Sequence, residues 1–187
     1  MSIARVYMYR TCTCLILLFS LCICPGVQAD GIRPSESNVK SAMLFNMIKF
    51  VDWPQGAISA DSSPITVCVL GKGPFGAALD ALHGENLKGR AVIVRHINQV
   101  QEAGNCQILV VGDVDRRAVT SIIEWTRQQP ILTVSDLPNF AQAGGVVGFI
   151  EQEGKIRFVI NITAAQQQKI RINSLLLKIA RIVQDPS

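Results

Sequence analysis

The chain is poor in the residues that most often carry chemistry. Its 187 positions hold two histidines, 6% aromatic residues and 17% charged residues. No Cys-x-x-Cys pair occurs, and Cys68 and Cys106 stand in no Cys/His ligand spacing, so zinc and dithiol redox readings find little support. No Ser/His/Asp or Cys/His order stands out, which leaves an enzyme without an obvious nucleophile. Internal repeats, low-complexity tracts and interdomain linkers are absent, and the length suits one domain with or without a leader. Lys and Arg outnumber Asp and Glu by 18 to 14. An excess that small argues against nucleic acid as a partner.

The first 29 residues do not resemble part of a fold. Arg5 and Arg10 are the only charges before Asp30, and an apolar run from Cys12 to Cys24 follows them. A basic start, a short apolar run and small residues at Val27 and Ala29 describe a secretory signal peptide over 1–29. The run of ~13 residues is short for a bilayer span, which needs about 20; a retained N-terminal anchor is the other reading. Beyond the leader, no stretch is long and apolar enough for a transmembrane helix. Four of the six cysteines lie inside the leader, leaving Cys68 and Cys106. In an exported chain two cysteines are most simply one disulfide. The mature chain, 30–187, is expected outside the cytoplasm and soluble.

Hydrophobic periodicity predicts the elements. A helix is expected over Glu36–Val51, capped by Ser35 or Ser37 and stopped before Pro54. Strands are expected at Ile65–Leu70, Ala91–Ile97, Gln107–Val111 and Ile131–Val134, and a hairpin at Val146–Ile150 and Lys155–Ile160. Further helices are expected at Phe75–Leu82, Arg116–Gln128 and Ala164–Gln184. Strands alternating with helices imply an α/β, three-layer domain: a mostly parallel sheet flanked by helices, with an antiparallel C-terminal hairpin at one edge. A disulfide needs Cα atoms about 4.4–6.8 Å apart, near the ~4.8 Å spacing of neighbouring strands. The Cys68 and Cys106 strands should therefore be adjacent, as in the order 2-1-3-4.

"VLGKGPFGAAL" places Gly71, Gly73 and Gly76 in G-x-G-x-x-G spacing between a strand and a helix. Pro74 removes an amide from that loop, and Arg95 and His96 stand where a dinucleotide site keeps an acid. A tight strand-to-helix turn explains the glycines equally well. Asp113, Asp115, His96, Ser135 and Asp136 fall at the same strand-end rim, where doubly wound sheets bind ligands. Asp115 also suits a helix cap, and Asp136 a turn. A small-molecule sensor using Gly71, Gly73, Asp113 and Ser135 is thus one reading; no metal site and no cofactor are expected.

Two helices are too apolar for a surface stripe of a little over 100°. In the first, Met43, Met47 and Phe50 could face the sheet while Phe45, Ile48 and Trp53 look elsewhere. The last carries one polar stripe, Arg171, Ser174, Lys178 and Arg181, on an otherwise Ile- and Leu-rich surface. Burial explains such helices, and so does a protein interface. Phe45, Ile48, Trp53, Leu177 and Arg181 are the candidate partner-binding residues.

"NMIKFVDWP", "CVLGKGPFG", "CQILVVG" and "GGVVGFIEQEGKIRFVINITAAQQQKIRINSLLLKIARIV" together resemble the YfiR family of small periplasmic proteins. The resemblance covers nearly all of the mature chain. It implies a regulator rather than an enzyme: an α/β homodimer that represses a membrane-bound diguanylate cyclase through the cyclase's periplasmic domain, lowering cyclic di-GMP and biofilm formation. It also implies an outer-membrane lipoprotein as a second partner, and makes Cys68 and Cys106 the structural disulfide. A second cysteine pair of some relatives has no counterpart between Gly144 and Gly154.

Overall fold

The computed structural model describes residues 35–58, 63–73 and 75–183. The signal peptide expected over 1–29, its four cysteines and Pro74 lie outside them.

Helix α1 (Glu36–Ile48) starts where Ser35 accepts a hydrogen bond from the Asn38 amide at 3.2 Å. After it come β1 (Val51–Asp52) and β2 (Ile65–Leu70), then the single turn α2 (Ala77–Asp80). The strands β3 (Asn86–Leu87) and β4 (Arg90–Ile97) precede a 3-10 helix, Val100–Asn105. Next are β5 (Ile108–Val111), α3 (Arg116–Thr126) and β6 (Leu132–Ser135). As the aspartate's position suggested, Asp115 caps α3, accepting from the Ala118 amide at 2.8 Å. The hairpin β7 (Val147–Gln152) and β8 (Lys155–Asn161) turns at Glu153 and Gly154, both at positive φ (+53° and +68°). A two-residue loop with positive φ at both positions matches the twist of the flanking strands.

The main sheet has the order β10-β8-β7-β6-β5-β2-β4-β3. The four strands expected from the sequence take the 2-1-3-4 order, all parallel. Cys68 and Cys106 are joined, with Cα atoms 5.9 Å apart. Alternate residues of each strand face opposite layers, because the side-chain period of a strand is two. Val67, Val69, Ile108 and Val110 pack with Leu44, Met47 and Ile48 of α1. Cys68, Leu70, Leu109 and Val111 pack with Ile122 of α3, Ala103 and Phe140 on the other side.

The expected helix over Ala164–Gln184 is not there. The segment breaks into α4 (Ile162–Gln167), β9 (Arg171–Ile172), α5 (Ser174–Leu177) and β10 (Arg181–Val183). Lys169 at φ +57° turns the chain out of α4. The side chains of Asn161 and Asn173 cap α4 and α5, accepting from Ala164 and Leu175 amides at 2.9 Å each. Residues 171–172 pair antiparallel with β1, and β10 runs parallel to β8. The hairpin is therefore interior to the sheet, and β10 forms the edge. The polar stripe inferred for one long helix has no counterpart. Expected helix Phe75–Leu82 shortens to the single turn α2, and α1 ends before Val51.

Candidate functional site

At the strand-end rim the glycine loop packs against protein, and an open recess of about 420 Å³ lies beyond β5 and β6, lined by Val114, Leu137, Pro138 and Phe140. Gly71, at φ +81°, turns the chain out of β2. The Gly112 amide donates to the Leu70 carbonyl at 2.8 Å, and the Asp113 amide to the Lys72 carbonyl at 2.9 Å. A Cβ on Gly112 would stand 2.0 Å from the Lys72 carbonyl oxygen. A glycine is needed there because two backbones touch, and the 71–73 loop lies against the loop after β5 rather than around an empty cradle. Gly73 approaches Val69, and Gly76 begins α2. Ser135 is fully buried; its hydroxyl donates to the Val111 carbonyl at 2.7 Å and accepts from the Leu137 amide at 3.1 Å. Asp113 is exposed, and His96 pairs with Asp80 at 2.7 Å on the surface. Among the described residues no three His, Cys, Asp or Glu side chains gather closely enough to hold a metal ion.

Next to the rim, α1 is pinned across the sheet by a buried cation. Lys40, 6% exposed, donates to Asp136 at 2.5 Å and also pairs with Glu36 one turn earlier. Burial alone would pull the Lys40 pKa down, but hydrogen bonds and charge attraction from Asp136 and Glu36 outweigh it, and the ammonium titrates above its ordinary 10.5. Asp136 follows β6 directly, so this contact ties the first turns of α1 to the carboxyl end of that strand.

Docked this way, α1 has two apolar faces. Leu44, Met47 and Ile48 enter the core. On its other side Val39, Met43 and Asn46, spaced three and four residues apart, and Phe50 just beyond the helix end line an open groove of about 560 Å³ with Phe158, Leu176 and Ile179. Ile179 is 71% exposed, Leu175 57%, Ile182 38% and Phe50 37%. These are the large hydrophobic side chains left to solvent among the described residues.

The residues expected to bind a partner scatter. Ile48 is 1% exposed and belongs to the core, which corrects the expectation that it looks away from the sheet; Phe50 and Met43, expected to face the sheet, line the groove instead. Trp53 is half-buried, and its indole N–H donates to the Gln107 carbonyl at 3.2 Å. Phe45 is half-buried under the Lys49 ammonium, 4.9 Å from the ring centre. Leu177 is half-buried beside Ile162, Ile170 and Ile172, away from the groove. Arg181 is exposed on β10. The sequence reading missed Leu175, Ile179 and Ile182, whose faces were assigned on a helix that does not form.

Comparison with known proteins supplies what the geometry cannot. A family model described as YfiR/HmsC-like matches residues 37–181. A crystal structure of a conserved domain protein from Vibrio cholerae O1 biovar El Tor strain N16961 shares the fold, with a TM-score of 0.51 at 14% identity. The match covers 81% of this chain and 60% of that one, so the chain spans less than two thirds of that protein. Among the described residues no helix is long and apolar enough to cross a membrane.

Proposed function

The chain belongs to the YfiR/HmsC-like family, and from that premise we propose that it is a periplasmic repressor which binds the periplasmic domain of a membrane-bound diguanylate cyclase. Members of this family are regulators rather than enzymes. Held by the repressor, the cyclase stays inactive, and cyclic di-GMP and biofilm matrix stay low. The reading takes residues 1–29 as a signal peptide that is removed on export. It includes a homodimer, and an outer-membrane lipoprotein that sequesters the repressor.

The observation that carries the reading is the open apolar groove beside α1. Monomeric proteins rarely leave a large contiguous apolar patch in water unless it meets something. Among the residues that line it, Phe50 and Ile179 are each more than a third exposed. The small-molecule reading is the weaker one, because the amides and glycines of the rim are spent on loop packing and Ser135 on the backbone.

Affinity purification from detergent-solubilised envelopes tests the proposal. A tagged, exported copy of this protein should retain a diguanylate cyclase through washing. Recovery of no cyclase, from cells that make one, would count against it.

A further inference from the structure

We propose that the recess between the C-terminal end of α3 and α4 binds a small carboxylic acid with a hydroxyl group on the neighbouring carbon. The inference stands apart from the repressor reading and starts from a buried group without a partner. Gln168 follows α4 directly and is 1% exposed. Its side-chain nitrogen reaches only the Thr126 hydroxyl, at 3.5 Å, and its side-chain oxygen has no hydrogen-bond partner. Turning the amide end for end leaves the same place unpaired, with the nitrogen in it. An unmet amide atom in the interior opposes folding, whereas an apolar side chain of the same shape would not. A glutamine held there is a group waiting for a partner.

Gln168 lines a recess of about 200 Å³, together with Arg127, Gln142 and Gln167. Ile123 and Gly144 form part of the same wall. Gly144, at φ +108°, lets the loop before β7 come close to α3, since a Cβ there would stand 3.0 Å from an Ile123 methyl. The recess has several times the ~30 Å³ share of one water, and falls below the roughly 300–1,000 Å³ of pockets for drug-sized ligands. That volume suits a small solute, and the lining states its chemistry. A hydroxyl both donates and accepts, so it pairs with the free end of the Gln168 amide in either orientation; an ammonium only donates. Arg127 is exposed, and among the described residues no ion pair includes it. Its guanidinium matches a carboxylate, and the exposed amides of Gln142 and Gln167 can donate to the same group. A hydroxyl beside a carboxylate meets both requirements within one small molecule.

The test uses the mature protein with glycolate, lactate and glycerate at millimolar concentration, followed by calorimetry and thermal unfolding. At least one of them should bind with one-to-one stoichiometry and raise the midpoint. Propionate, which is lactate without its hydroxyl, should bind at least ~10-fold more weakly, because it leaves the Gln168 amide unmet. Propane-1,2-diol, which lacks the carboxylate, should not bind. Arg127→Gln, at an exposed position, should keep the midpoint of the free protein and lose ~10-fold in affinity. Gln168→Met should fold with a midpoint no lower than that of the wild type and lose at least ~10-fold in affinity. A merely structural glutamine would show the reverse, a lower midpoint and no change in binding. Failure of all three hydroxy acids to bind, equal binding of lactate and propionate, or wild-type affinity in either variant would overturn the proposal. So would a crystal grown with lactate that holds only water beside Gln168.

Discussion

Reducing the Cys68–Cys106 bond should cost this domain a large share of its stability while leaving the fold recognisable. The two half-cystines are 0% and 3% exposed, and they close a loop with a sequence separation of 38. That loop contains α2, β3, β4 and the 3-10 helix, so the bond ties β2 to the entry of β5. In the chain-entropy description, closing a loop of this length disfavours the unfolded chain by about 4 kcal/mol. The two thiols left by reduction are small and apolar enough to stay buried where they are, so reduction isolates the loop effect. For a domain of this size the loss corresponds to a fall in Tm of about 8–16 °C. Replacing both residues with alanine should cost about 1 kcal/mol more, through lost sulfur contacts. The assay is urea unfolding of oxidised protein, of protein reduced in denaturant and refolded with reductant, and of the double-alanine variant. The freed chain expands when unfolded, so the slope against urea should steepen as the midpoint falls. Equal midpoints for oxidised and reduced protein, or two titratable thiols in the unfolded, unreduced chain, would refute the reasoning.

Lys40→Met should cost about 2 kcal/mol by stranding the partly buried Asp136 carboxylate, with urea midpoints as the measure. Because the folded-state pKa of Lys40 is raised above 10.5, its contribution is fully present below that pH and is lost as the pH climbs through the raised value. The gap between wild type and Lys40→Met should therefore hold at neutral pH and close in strong alkali; a gap that widens there would contradict the pairing. Gly112→Ala should cost about 3 kcal/mol, since its Cβ would meet the Lys72 carbonyl rather than a movable side chain. Amide exchange at Asp113 should speed up in that variant, and unchanged exchange would mean the two loops are not in contact.

Much of the fold was legible because short-range chemistry and the fold agree. The β-branched runs of β2, β4, β5 and β6 gave the strands, and the pairing of Cys68 with Cys106 fixed two of them as neighbours. Ser35 and Asp115 marked helix starts by the ordinary logic of N-caps. The C-terminal segment was misread because Ile, Leu, Arg and Gln suit both states. What decided it were Asn161 and Asn173, whose capping role was readable in principle, and long-range pairing of residues 171–172 with β1, which was not. The groove had a faint signature, the surplus apolar face of α1. Which residues lay on that face depended on how Lys40 reaches Asp136, 96 positions away, and no local pattern reports such a contact. At the rim the glycine spacing suggested a ligand, whereas the structure uses Gly71 and Gly112 to bring two loops together.

The central claim is repression from the periplasm, and the most direct measurement is cellular cyclic di-GMP in a strain lacking this gene, complemented in two ways. Deletion should raise cyclic di-GMP. The full chain should restore the low level, and residues 30–187 retained in the cytoplasm should not. Unchanged cyclic di-GMP after deletion, or equal rescue by the cytoplasmic copy, would contradict the account.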